Sequence, residues 1–312
     1  MNILSLSRFG CHWDRFWFTP TSPRNVAASR IVFSVYSLWV LASRNLAQVS
    51  GLPSDFWSRV EATARWRYLD FPEHFALERM LVWIAGIALV CAMLGLLSRL
   101  SCFVAGILLY HLAPLESIIW IPHPYARGLT ISVLALLTLS FVPSGDCWAL
   151  LPPRTRPTRM ASSDYTWPVR LIQVFLVEIY LFSGYAKIAV VGWKWASPSN
   201  IRNWVLYCIE EDQIGVFHSF GAWIADRPLV CVAMGVGTLV FELGLVAVLF
   251  SKLARRVLVP LVALFHLAIL LSMNLTFLNV PQLLVFADWD VVTGWVNGKA
   301  SKTRESASTS SA

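Results

Sequence analysis

VRLIQVFLVEIYLFSGYAKIAVV, running from Val169 to Val191, decides the class of this chain. Apolar residues fill most positions, with neither alternation in twos nor a continuous polar stripe, so a helix built from it is apolar nearly all round. About 20 such residues, each rising about 1.5 Å, cross the hydrocarbon core of a bilayer. Trp167 precedes the stretch and Trp193 follows it, placing indole rings where a span meets the headgroups. Glu178 and Lys187 interrupt it, at a cost on the order of a few kcal/mol for each charge left in hydrocarbon.

The same pattern extends through the sequence. Of 312 residues, 57% are hydrophobic and 14% charged, with a mean hydropathy of +0.61, whereas soluble domains carry roughly 25% charged residues. That composition excludes a disordered chain, a collagen, a basic nucleic-acid-binding domain and a disulfide scaffold. Apolar stretches run over about Arg30 to Gln48, Met80 to Leu97, Ser101 to Ile121, Gly128 to Pro143, Val169 to Val191, Leu229 to Phe250, Val257 to Met273 and Thr276 to Val292. The expected fold is an all-α integral membrane protein, a polytopic bundle of about eight transmembrane helices. The last stretch, with Asn279, Pro281, Gln282 and Asp288, reads as a short tilted or re-entrant helix.

The net charge of +7 is an orientation signal. A cytoplasmic N-terminus puts Arg8, Arg15, Arg24, Arg99, Arg154, Arg156, Arg159, Lys252, Arg255, Arg256, Lys299, Lys302 and Arg304 on the inner side. The outer segments offset their arginines with Asp55, Glu61, Asp70, Glu73 and Glu78, and a second outer loop carries Glu210, Glu211 and Asp212. The expectation is a multi-pass protein of the cell membrane with both termini cytoplasmic. No apolar run in the first residues resembles a cleavable signal peptide. Residues 1–24 read as a cytoplasmic segment, 25–292 as the membrane domain and 293–312 as a Ser-rich, disordered tail. Most of the 15 tryptophans, Trp195 among them, read as belt anchors. The six cysteines are too widely spaced to suggest a metal site. The bilayer is the expected partner, and no nucleic acid is expected.

With charge so scarce, the ionisable residues inside the apolar stretches become the functional candidates: His111, Glu116, Glu178, Lys187, Glu242 and His266, with His123 at the outer end of the third stretch. Lys187 has Ser183 one turn earlier and Tyr180 two turns earlier on the same helix face. Such a desolvated lysine could act as a base, or could snorkel its amine to the outer interface. Ser183 and Gly184 allow a neighbouring helix or ligand to come close. His123 stands between Pro122 and Pro124, with Tyr125 next, in a rigid turn that presents an imidazole or merely connects two helices. Glu178 and Glu242 are expected to pair with polar groups inside the bundle. Nine residues separate Glu178 from Lys187, which puts the two on different faces. His266 reads as a partner in a hydrogen bond within the bundle, not as a metal ligand.

Three segments carry a resemblance to a known family. They are Pro122-His123-Pro-Tyr-Ala-Arg-Gly128 with the apolar run to Trp148; Trp167-Pro-Val-Arg170 through Tyr180-Leu-Phe-Ser-Gly184-Tyr-Ala-Lys187-Ile to Trp193; and, more weakly, Phe265-His266 with Met273-Asn274. In order and spacing they resemble the membrane core of vitamin K-dependent gamma-glutamyl carboxylases and their bacterial relatives with a horizontally transferred transmembrane (HTTM) domain, over roughly residues 25 to 290. The resemblance implies a quinone-linked enzyme in which Lys187 activates a reduced, vitamin K-like quinone and His123 contributes at the centre. Tyr125, Tyr180, Ser183, Glu242 and His266 would line the pocket. Ala186 and Pro122 depart from the carboxylase pattern, and the chain is expected to lack the large extracytoplasmic substrate-binding region. Two other readings stay open. One is an accessory protein for maturation or immunity of a secreted peptide. The other is a small-solute transporter built on Glu178, Glu242 and His266, for which no internal repeat is visible.

Overall fold

The computed structural model describes residues 12–43, 75–119, 128–151, 161–211, 216–275 and 279–295. Among these residues every regular element is helical, and the nearest thing to sheet is one isolated antiparallel bridge between Thr21 and Ser162. Three helices are long and apolar enough to cross a membrane, or up to four if the pair Ser219–Ala225 and Pro228–Gly244, bent by 96°, is one broken span. Shorter apolar helices cover Arg79–Leu94, Ser98–Ala113 and Leu129–Ser140. Large apolar side chains also point outward, among them Trp83, Ile87, Phe103, Phe182, Val190 and Leu264. Helices apolar on both their packed and their open sides suit hydrocarbon as the surrounding solvent.

The chain divides into two compact units, residues 1–172 with 284–312, and residues 173–283. In the first, α1 (Arg24–Ser43), α2 (Phe75–Leu94), α3 (Ser98–Ile119) and α4 (Gly128–Ser140) pack in a closed ring, α1 on α2, α2 on α3, α3 on α4 and α4 back on α1. Phe33, Leu89, Leu109, Leu112, Leu129, Leu136 and Leu139 fill its centre. α5 (Thr166–Val191) begins in this unit and continues into the second.

One end of the ring is tied by a residue that the sequence presented only as the start of a span. Arg30 is fully buried. Its guanidinium donates to the carbonyls of Ala92 at 2.6 Å and Trp148 at 2.7 Å, with longer bonds to Met93 and Cys147. The last carbonyls of α2 have no partner within their own helix and carry the negative end of its dipole, so a cation there satisfies both needs. Gly95, at φ 74°, lets the chain leave α2 over the guanidinium. Trp148 packs edge-on against Trp289 at 5.9 Å, while Asn25 Oδ1 accepts from the Trp289 backbone N–H and Asp290 accepts from Ser22 and Arg24.

The second unit contains the rest of α5, α6 (Pro198–Glu211), α7 (Val216–Ala225), α8 (Pro228–Gly244), the short α9 (Ala247–Phe250) and α10 (Lys252–Met273). The segment expected as an outer loop is therefore a pair of helices, α6 and α7. Ile201, Val205 and Ile209 recur at helical spacing and are buried against Ile224, Ala225 and Cys231. That periodicity was present in the sequence but shorter than a span. The eighth stretch is likewise no long helix: it forms a 3-10 turn at Val280–Phe286 and a short helix over 289–295, so the membrane-domain limit expected at 292 falls within an element. The tail beyond 295 lies outside the described residues.

Gly95→Ala would put a methyl against Ala149 and the Arg30 guanidinium in a left-handed backbone position. The expected loss is about 1–3 kcal/mol, read as a lowered thermal unfolding midpoint in detergent; an unchanged midpoint would show that the Arg30 clamp tolerates displacement.

Candidate functional site

Lys187 stands one turn before the end of α5, and Glu242 in the last turn of α8. α8 comes close to α5 at one crossing and to the 3-10 turn Gly192–Ala196 at another. A Cβ on Gly235 would meet the backbone of Ala196, and two turns further along α8 a Cβ on Gly184 would come 3.0 Å from the Cβ of Glu242. Small residues at these crossings let the backbones approach until the two charged side chains meet.

They meet as a complete ion pair. The Lys187 ammonium donates to Glu242 Oε1 at 2.6 Å and Oε2 at 2.7 Å, and to Ser183 Oγ at 2.7 Å. Ser183 in turn donates to Glu242 Oε1 at 3.1 Å. All three ammonium hydrogens are thus used, and among the described residues Oε1 accepts twice and Oε2 from Lys187 alone. Side-chain exposure is only 18% for Lys187 and 10% for Glu242, so water screens the pair poorly. The Trp195 ring lies 5.1 Å from Lys187 Nζ, a cation–π contact that closes the remaining side.

A second layer surrounds the pair. Tyr180, two turns before Lys187, is buried and packs edge-on against His266 of α10 at 5.8 Å. His266 is itself buried, and its Nδ1 lies 2.8 Å from the Val262 carbonyl one turn back. With Nδ1 donating there, the Nε2 side faces away from the helix backbone. Phe241 and Phe265 stack at 5.7 Å beside them. A polar trio therefore sits in an aromatic wall, drawn from α5, α8, α10 and the 3-10 turn Gly192–Ala196.

The family model described as "HTTM domain" matches residues 18–284, most of the chain. The chain belongs to the HTTM family. No curated protein and no solved structure matches it. Family membership and the apolar helices together make this a membrane protein.

Five of the candidate residues, Tyr180, Ser183, Lys187, Glu242 and His266, gather in the second unit of this HTTM-domain protein. His123, Tyr125 and the side chain of Glu116 lie outside the described residues. His111 belongs to α3 in the first unit. Glu178 departs from expectation. It lies on the exposed side of α5, away from the face that carries Ser183 and Lys187, so among the described residues the expected pairing inside the bundle is seen for Glu242 and not for Glu178. Nor is Lys187 a lone amine in an apolar wall, as the sequence suggested. Trp195, read as a belt anchor, covers it. The fifth and sixth stretches each showed their own charge, but spacing along the chain cannot show which charges meet across helices.

Removing one partner of this pair leaves the other buried and unmatched, at an expected cost of about 3–5 kcal/mol. Glu242→Leu or Lys187→Met alone should therefore lower the unfolding midpoint of the detergent-solubilised protein sharply, and the double variant should recover most of the loss. Additive losses in the double variant would contradict the pairing.

Proposed function

We propose that this protein is a carboxylase-like HTTM enzyme of the cell membrane, with about eight spans and both termini cytoplasmic, which binds a reduced, vitamin K-like quinone from the lipid phase and removes a proton from it. The observation that carries the reading is the Lys187–Glu242–Ser183 trio inside an aromatic wall. Polar, satisfied chemistry is costly to place between apolar helices, and a site of that kind is the default place to look for function. The resemblance around Tyr180 to Lys187 gives the chemistry its class.

A flat aromatic ligand with two oxygens fits the residues on two grounds. The surroundings supply rings for it to lie against: Trp195, Tyr180 and His266. The Tyr180 hydroxyl is buried with no hydrogen bond to the described residues, so a polar group remains for an oxygen to satisfy. When bound, the reduced quinone supplies an acidic hydroxyl and two electrons for oxygen chemistry. The chain supplies the rest. Glu242 takes the proton at Oε2, which accepts from Lys187, whereas Oε1 accepts from Lys187 and from Ser183 as well. The Lys187 ammonium stays beside the deprotonated oxygen and replaces its lost counterion. Ser183 holds Oε1 and the ammonium in register while this happens. The resemblance gives His123 a part in the same chemistry, and its substitution below tests that part. The packed helices keep bulk water from the reacting oxygen.

This reading differs from the simplest form of the sequence expectation, in which a lone lysine is the base. In a neutral pair the proton enters at the carboxylate and the lysine remains an electrostatic partner, a division of roles that needs both residues.

Membranes containing the wild-type protein are expected to consume oxygen when supplied with menadiol. Lys187→Ala, Glu242→Gln and His123→Ala should each reduce the rate by about 100-fold or more. Full activity in all three variants, or no activity in the wild type, would contradict the reading.

A further inference from the structure

Two hydrogen-bond donors beside the ion pair are buried without a partner among the described residues: the Tyr180 hydroxyl and the Trp195 indole Nε1–H. Tyr180 is only 8% exposed. The Asn279 side chain approaches its hydroxyl but makes no hydrogen bond of good geometry with it. Buried donors are nearly always satisfied, and one left open costs about 1–3 kcal/mol. Tryptophan and tyrosine are the residues that serve both as an apolar wall and as a donor to a ligand. Both orphans belong to the Lys187–Glu242 surroundings. Tyr180 is on the same face of α5 as Ser183 and Lys187, and it lies within electrostatic reach of the Glu242 carboxylate. The Trp195 ring lies against the Lys187 ammonium.

We infer that Trp195 and Tyr180 are ligand-binding residues, and that their N–H and O–H donate to an oxygen of a flat apolar molecule that offers its own hydroxyl to Glu242. The inference rests on the proposed site and adds the specificity of that site. An indole N–H donates and never accepts, so it requires an acceptor oxygen on the ligand. Glu242 Oε2 accepts, so it requires a hydroxyl. The ligand must therefore present at least two oxygens, one of which keeps its hydrogen. Dihydroxy- and hydroxy-keto-arenes meet this description. Plain hydrocarbons and aliphatic lipid tails do not, although they would fill the same apolar volume. Anchoring at a headgroup belt is the other ordinary use of an interfacial tryptophan, but it leaves the indole N–H toward water or headgroups. The Trp195 Nε1 is instead shut away from solvent.

Conservative variants separate the donors from the rings. Trp195→Phe keeps an aromatic face toward Lys187 and removes the N–H; Tyr180→Phe keeps the ring against His266 and removes the O–H. Anaerobic titration of menadiol into detergent-purified protein, with 2-methylnaphthalene as the oxygen-free control, reads the effect. Each variant is expected to bind menadiol about 5- to 10-fold more weakly than wild type, as the loss of one hydrogen bond implies. Affinity for 2-methylnaphthalene should be unchanged. Circular dichroism and the unfolding midpoint check that each variant is folded, and failure of one to fold leaves the other to decide. Menadiol binding that weakens in Lys187→Met/Glu242→Leu but is unaffected in both Phe variants would overturn this inference and leave the proposed site standing. Absence of menadiol binding to the wild type would overturn both.

Discussion

A charge taken out of water must be matched, and the architecture of this chain follows from where it matches the few charges it buries. Arg30 finds its match in backbone carbonyls, at the open end of α2 and in the exit turn after α4. Lys187 finds its match in a carboxylate from another helix. The first solution is structural, because the carbonyls are fixed acceptors that cannot take a proton. The second is titratable, because a carboxylate, unlike a carbonyl, can take up a proton. The two units of the fold thus hold two buried cations with different chemistry.

The ion pair depends on local backbone choices that contain no charge. Gly184 lets α5 meet α8 beside Glu242, Gly235 lets α8 meet the 3-10 turn after α5 at Ala196, and that turn brings Trp195 back over the lysine. A methyl at Gly184 would come within 3.0 Å of the Glu242 Cβ and press on Leu243, so the side chains at the crossing would have to give way. The site is therefore built from packing first and electrostatics second, as expected in a medium where close helix contact, and not the hydrophobic effect, drives association.

Much of this was legible in the sequence, and the limits have physical causes. The membrane class followed from composition, and the helices grew close to the expected stretches because apolar runs and their flanks are local signals. Tyr180, Ser183 and Lys187 could be placed on one face because helical periodicity is also local. Their partner Glu242 could be nominated as a costly charge but not assigned, since a contact between residues 55 positions apart in the chain is set by helix packing. Arg30 escaped notice because an arginine at the start of an apolar stretch looks like a flank. Trp195 escaped because tryptophans near span ends usually anchor. α6 and α7 escaped because their apolar faces are narrow and were overshadowed by the acidic residues that follow Ile209. In each case the missing information was a neighbour distant in sequence.

The Lys187–Glu242 pair and its aromatic wall are proposed as a seat for a small molecule, more than an internal brace. Mass spectrometry of the solvent extract from protein purified in its native lipid tests that claim most directly, comparing wild type with Lys187→Met/Glu242→Leu. The account predicts an aromatic compound carrying hydroxyl or carbonyl oxygens, present in the wild-type extract at near one per chain and missing from the folded double variant. Identical extracts from the two proteins would contradict it.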